Sequence, residues 1–159
     1  MTAMTAAAAE HAPAPITWGS FNVFQYIPRM PGAALQVLFH LLGTQEPGGR
    51  CVWTQTALSD DLGLERTQVS RAIQHLQFAN LLTPVQRGIY QLNPMLSAYE
   101  NPRDQRAAVK ALSREQRLDV ADFEERYQRR IAEHEARKSQ RPRRATVTQL
   151  SERRLKSVD

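Results

Sequence analysis

Between residues 31 and 96 the apolar positions fall into a regular order. Leu35, Leu38, Phe39 and Leu42 recur at spacings of three and four, which predicts a helix with one apolar face. Pro31-Gly32 opens it, with proline at a tolerated early position, and Gly43 closes it. A polar loop from Gln45 to Gly49 leads into Cys51-Val52-Trp53, a brief strand with the cysteine buried. Two shorter helices follow. Thr54 caps the first, whose inner face is Leu58 and Leu62 with the small Ser59 between them. Gly63 supplies a tight turn, Leu64 tucks under it, and Val69, Ala72, Ile73 and Leu76 line the inside of the second helix. Phe78 and Leu81-Leu82 end that helix and begin a strand. Thr83-Pro84-Val85, Gln86-Arg87-Gly88 and Ile89 to Leu92 then read as strand, tight turn and strand.

The flanks are less regular. Residues 1–15 are an Ala/Pro arm without the basic start and leucine-type run of a signal peptide, and are expected to be disordered. Residues 16–30 are aromatic-rich, with Phe21 and Val23 and then, after a break in phase, Phe24 and Tyr26; a short strand or hairpin is expected there. Asn101 can cap a helix with Pro102 at its first position, running to about Leu112. Residues 119–138 predict a further helix with Val120, Phe123, Tyr127, Ile131 and His134 on one face. From residue 139 the chain is basic, proline-interrupted and expected to be disordered. The fold class is therefore mainly α with a small β wing, a winged helix-turn-helix. It divides into an arm (1–15), a DNA-binding domain (16–96), a helical extension (97–138) and a tail (139–159).

Charge sharpens this picture. The formal net charge is +5, yet Arg29, Arg50, Arg66, Arg71 and Arg87 are matched in residues 1–96 by Glu10, Glu46, Asp60, Asp61 and Glu65. The whole surplus lies after Leu96, so a nucleic-acid contact in the domain rests on the placement of a few arginines, not on bulk charge. The lone Cys51 excludes an intrachain disulfide. The apolar run Val37 to Leu42 is too short to span a bilayer, so no membrane partner and a cytoplasmic location are expected.

The outer face of the second short helix carries Arg66, Thr67, Gln68, Ser70, Arg71 and Gln74. Arginine can engage guanine O6 and N7, glutamine can engage adenine N6 and N7, and serine or threonine suits phosphates and base edges. Glu65 suits the helix dipole and could also accept from cytosine N4. Arg87 at the hairpin tip can reach a phosphate or the minor groove. These seven residues, Arg66, Thr67, Gln68, Ser70, Arg71, Gln74 and Arg87, are the candidate contacts to double-stranded DNA. An ordinary αα-hairpin would account for the apolar spacing. It would not account for an outer face without the usual Glu/Lys mixture.

The arrangement resembles the winged helix-turn-helix superfamily, and within it the RepL-type plasmid replication proteins. The resemblance covers about residues 20–96. It is carried by Phe21-x-x-Phe24, by Thr67-Gln68-Val69-Ser70-Arg71-Ala72-Ile73-x-x-Leu76, by Arg87-Gly88-Ile89-Tyr90 and by Leu92-Asn93-Pro94. The Thr-x-Val-Ser-Arg portion is shared with MarR-like regulators. Arg87 stands where that family's turn commonly has asparagine. The resemblance implies a bacterial-type protein acting in plasmid replication initiation or control through host replication machinery. Transcription regulation, with a repressor acting on transcription machinery, is the alternative. A protein-interaction module without DNA binding is a third reading.

Nothing predicts catalysis or a cofactor. There is no GxxxxGK phosphate loop, and His11, His40, His75 and His134 are scattered without metal-ligand spacing. Asp60-Asp61 reads as the polar face of a helix. Tyr90 lacks the histidine cluster and acidic metal site that a nicking tyrosine needs. The stripe over 119–138 suits two partners, its own domain or a second copy in a homodimer. The basic run Arg137-Lys138, Arg141, Arg143, Arg144, Arg153, Arg154 and Lys156 suits added, sequence-independent phosphate contact.

Overall fold

The computed structural model describes residues 21–141, so the expectations for the arm and for the tail beyond Arg141 lie outside it. A 3-10 helix (Phe21–Tyr26) leads into α1 (Gly32–Thr44), β1 (Arg50–Val52), α2 (Gln55–Leu62), α3 (Arg66–Phe78), β2 (Leu82–Gln86), β3 (Ile89–Leu92), α4 (Pro102–Lys110) and α5 (Phe123–Gln140). The described chain is thus mainly helical with one small antiparallel sheet of order β1-β3-β2. Among the described residues, no helix is long and apolar enough to cross a membrane.

Local chemistry sets the α2–α3 unit. The Thr54 hydroxyl accepts from the Ala57 N–H at 3.1 Å and starts α2. Gly63 ends it in the left-handed region, with φ 63°, where a side chain would be strained. The Ser59 hydroxyl donates to the Leu64 carbonyl and fastens the turn. Leu58, Val69, Ala72, Ile73 and Leu76 are all buried as their spacing predicts. Leu62 and Leu64 are half-buried against the same core.

The β2–β3 hairpin pairs Leu82 with Leu92, Thr83 with Gln91 and Pro84 with Tyr90, and Gln86 faces Ile89 across a bulge at Val85. β1 adds a third strand on β3, pairing Cys51 with Tyr90. The thiol of Cys51 is fully buried, and burial, with the nearby Glu46 carboxylate, pushes it up to about 11. That is a packing side chain and not a reactive one.

The inner face of α1 differs from the periodicity reading. Ala34, Val37, Leu38 and Leu41 are buried, whereas Phe39 is 59% exposed and Leu35 and Leu42 are only half-buried. The segment GAALQVLFHLLGT is apolar on nearly every side, so two stripes compete; the small Ala34 faces inward as α1 packs on α3. The helix also runs one residue past Gly43, to Thr44.

Residues 21–26 are helical, not a strand or hairpin. Val23 and Tyr26 are three apart, one turn of a 3-10 helix, which buries Val23 and half-buries Tyr26 while Phe24 stays 44% exposed. The break in phase at Phe24 is the trace of this turn, since a strand would keep a period of two.

The helical extension shares the core. Met95, Leu96, Leu118, Phe123 and Tyr127 belong to the same cluster as Leu38 and Leu76. Asn93 is the buried joint. Its amide donates to the carbonyls of Asn80 at 3.0 Å and Gln116 at 2.7 Å, and its oxygen accepts from the Met95 N–H at 2.9 Å. Asn101 caps α4 as expected, accepting from the Asp104 N–H, but α4 stops at Lys110 rather than Leu112. α5 starts at Phe123, leaving Val120 before the helix, and continues to Gln140. Phe123 and Tyr127 pack in cis, on the chain's own core.

Candidate nucleic-acid interface

α3 presents two adjacent polar stripes, and each lines a cleft. Thr67, Ser70, Arg71 and Gln74, at spacings of three and four, form one wall of a cleft of about 480 Å³. The opposite wall is the C-terminal end of α5, with His134, Arg137, Lys138 and Arg141. The neighbouring polar residues Arg66 and Gln77, beside an edge of the buried Ile73, face a second cleft of about 500 Å³. Its far walls are the start of α2, with Gln55 and Thr56, and the hairpin turn, with Gln86 and Arg87.

Six of the seven predicted contact residues therefore fall into two groups on the flanks of one helix. Thr67, Ser70, Arg71 and Gln74 share the α5 side, and Arg66 and Arg87 share the hairpin side. All six are exposed except Ser70, which is half-buried.

Gln68 is the exception. Glu65 is the N-cap of α3, and the two residues form a capping box: Gln68 Oε1 accepts from the Glu65 N–H at 3.0 Å, and the Glu65 carboxylate faces the Gln68 backbone N–H. Gln68 lines neither described cleft. Its carboxamide oxygen is engaged at the helix start. The sequence signature of such a box is Ser, Thr, Asp or Asn followed three residues later by Glu or Gln; with Glu65 at the cap, only the Gln68 half of it is present.

The charges follow a division of labour. Arg50 pairs with Glu46 at 3.1 Å, Arg117 with Asp119 at 2.7 Å and Arg129 with Glu125 at 2.9 Å. Asp119 is held below the usual carboxylate range by its hydrogen bond from Arg117. Arg130 donates to the Phe78 carbonyl at 3.0 Å and to Asn80 Oδ1 at 2.6 Å. By contrast, Arg66, Arg71, Arg87, Arg137, Lys138 and Arg141 form no ion pair among the described residues. These six line the two clefts; Arg29, Arg103, Arg106, Lys110 and Arg114 also form no ion pair among the described residues but lie outside both. Such a surface can take anions beside hydrogen-bonding edges.

The described histidines, His40, His75 and His134, pack against other side chains of the fold. His40 Nδ1 lies 3.4 Å from the exposed Asp61 carboxylate, and its ring packs edge-on against Trp53 with centroids 4.4 Å apart. His75 contacts Tyr127, and His134 packs on Phe78 with ring centroids 5.2 Å apart. No cluster of three or more histidine, cysteine or carboxylate side chains suited to a metal occurs among the described residues. Tyr90 is buried. The pairing of the end of α5 with the outer stripe of α3 is not visible in the sequence, because it depends on contacts between residues more than 50 positions apart.

Compared with known proteins, the chain matches no family model, no curated protein and no solved structure.

Proposed function

We propose that this chain binds double-stranded DNA sequence-specifically as a winged helix-turn-helix, with α3 as the recognition helix and the β2–β3 hairpin as the wing. The observation that carries this reading is the unpartnered outer stripe of α3. Thr67, Ser70, Arg71 and Gln74 project from a helix whose inner face is anchored by Val69, Ala72, Ile73 and Leu76. A rigid helix about 10–12 Å across fits the major groove, about 12 Å wide, and Arg71 is the side chain suited to a guanine edge. Arg87 then contacts the backbone or minor groove at the flank, and Arg66 the adjacent phosphates.

Within this reading the RepL-like features favour an origin-binding role in plasmid replication over a MarR-like repressor role. The Leu92-Asn93-Pro94 ending also has a structural office, since Asn93 joins three segments of the core.

The test is selection of bound duplexes from a random pool, followed by affinity measurement on the selected site. Arg71→Ala is expected to weaken that site about 10-fold or more and to leave scrambled duplexes nearly unaffected, since a good base contact discriminates by about 1–3 kcal/mol. Enrichment of no sequence, or an unchanged affinity in Arg71→Ala, rejects the reading. Recovery of iterated sites from the DNA around the gene itself supports replication control. Recovery of a promoter supports the repressor.

A further inference from the structure

We infer that the C-terminal end of α5 is a second backbone clamp, which seats the DNA strand on the side of α3 opposite the wing. The inference rests on the DNA-binding reading and assigns a partner surface to residues outside the helix-turn-helix.

Packed helices lie about 8–10 Å apart, and a major groove about 12 Å wide admits one helix. If α3 enters the groove, α5 cannot enter beside it. Its exposed end must then face the rim, which is a phosphate strand. The charge pattern of α5 fits that position. Arg126, Arg129 and Arg130, in its first half, are taken up by Asp122, Glu125 and the end of α3. Arg137, Lys138 and Arg141, at its end, are exposed, form no ion pair and converge with Arg71 on one cleft.

The wing side is built the same way, with Arg66 and Arg87 sharing their own cleft. α3 is thus flanked by cations on both sides, as a helix lying between two backbone strands requires. The anchor that holds α5 in place is made of other residues. Tyr127 contacts His75, Arg130 bonds the Phe78 carbonyl, and His134 packs on Phe78. The end of α5 is therefore held at a fixed place relative to α3, unlike a floating basic segment.

The test uses the full chain with Arg137→Gln, Lys138→Gln and Arg141→Gln combined, titrated against the selected duplex and a scrambled one at several salt concentrations. The variant is expected to bind both duplexes at least about 10-fold more weakly at 100 mM salt. Its plot of log affinity against log salt is expected to be shallower by about 2–3, close to one for each phosphate no longer neutralised. Arg137→Lys with Arg141→Lys is expected to keep the slope, since charge and not fork geometry does the work. An unchanged slope overturns the clamp. So does tighter binding, which would make the end of α5 a cover over α3. If Arg71→Ala still weakens the selected site while the triple variant is neutral, the clamp alone fails. If the wild-type chain binds no duplex, the clamp and the DNA-binding reading fall together.

Discussion

The hydroxyl of Tyr127 lies 2.9 Å from Nδ1 of His75 and ties α5 to the C-terminal half of α3. Tyr127 is only 1% exposed, so its ring is also a core side chain. Tyr127→Phe should cost about 1 kcal/mol, the net worth of one hydrogen bond. Tyr127→Ala should cost about 3–5 kcal/mol, the range for emptying a buried aromatic position. Denaturant unfolding of the two variants checks the pair. Equal losses would mean that the ring contributes little packing.

The burial of His75 also makes stability depend on pH. Burial holds the pKa of His75 below its ordinary 6.5, against the Glu135 carboxylate, which raises it, and with His134, which lowers it further. A depressed histidine pKa means that the unfolded chain binds the proton more readily. The His75 contribution is therefore complete above pH 6.5 and is lost as pH falls through 6.5 toward the folded value. The melting temperature should drop across that window in the wild type and drop less in His75→Gln. A wild type that grows more stable on acidification there would contradict the assignment.

Gly49 and Gly63 both have positive φ but should respond differently to alanine. At Gly63 (φ 63°) a Cβ meets nothing within 4 Å, so the cost is the left-handed backbone alone, about 1–2 kcal/mol. At Gly49 (φ 86°) a Cβ would lie 1.9 Å from the hydroxyl of Ser97. That hydroxyl is buried and donates to the carbonyls of Leu92 and Asn93. Displacing it should add about 1–3 kcal/mol. Thermal melts of the two variants should therefore separate, with Gly49→Ala the less stable.

Gln68 should report on the fold before it reports on recognition. Gln68→Ala removes the acceptor for the Glu65 N–H at the start of α3, at a cost of about 0.5–2 kcal/mol. Gln68→Glu keeps an acceptor at the same place and should stay near the wild type. Chemical denaturation separates them, and equal stability of the alanine variant would rule out a stabilising role for the box.

These cases also mark how far the sequence alone could be read. The α2–α3 unit was legible because its cap, Thr54, its turn, Gly63, and its inner stripe each have a local physical cause. The burial of Cys51 and the hairpin around Arg87 were legible for the same reason. The inner face of α1 was not, since Phe39 and Leu35 are as apolar as Val37 and Leu41 and only the position of α3 decides between them. The stripe with Tyr127 and His134 left its own domain and a second copy as equal choices, and the choice of α3 was hidden because it also runs through His75 and Arg130, polar residues with no apolar spacing. Of the candidate contacts, the stripe Thr67, Ser70, Arg71 and Gln74 followed directly from helical spacing. The engagement of Gln68 did not, because exposure and spacing on the outer face say nothing about a bond to the helix's own first turn.

The central claim is that α3 reads DNA from the major groove through Arg71. Methylation interference on the selected duplex tests it most directly, because a methyl group on guanine N7 lies in that groove. Methylation of one or two guanines is expected to block binding of the wild type and to matter no longer for Arg71→Ala, which has no guanidinium to place there. Interference confined to adenine N3 in the minor groove, or an Arg71→Ala pattern identical to the wild type, would contradict the account.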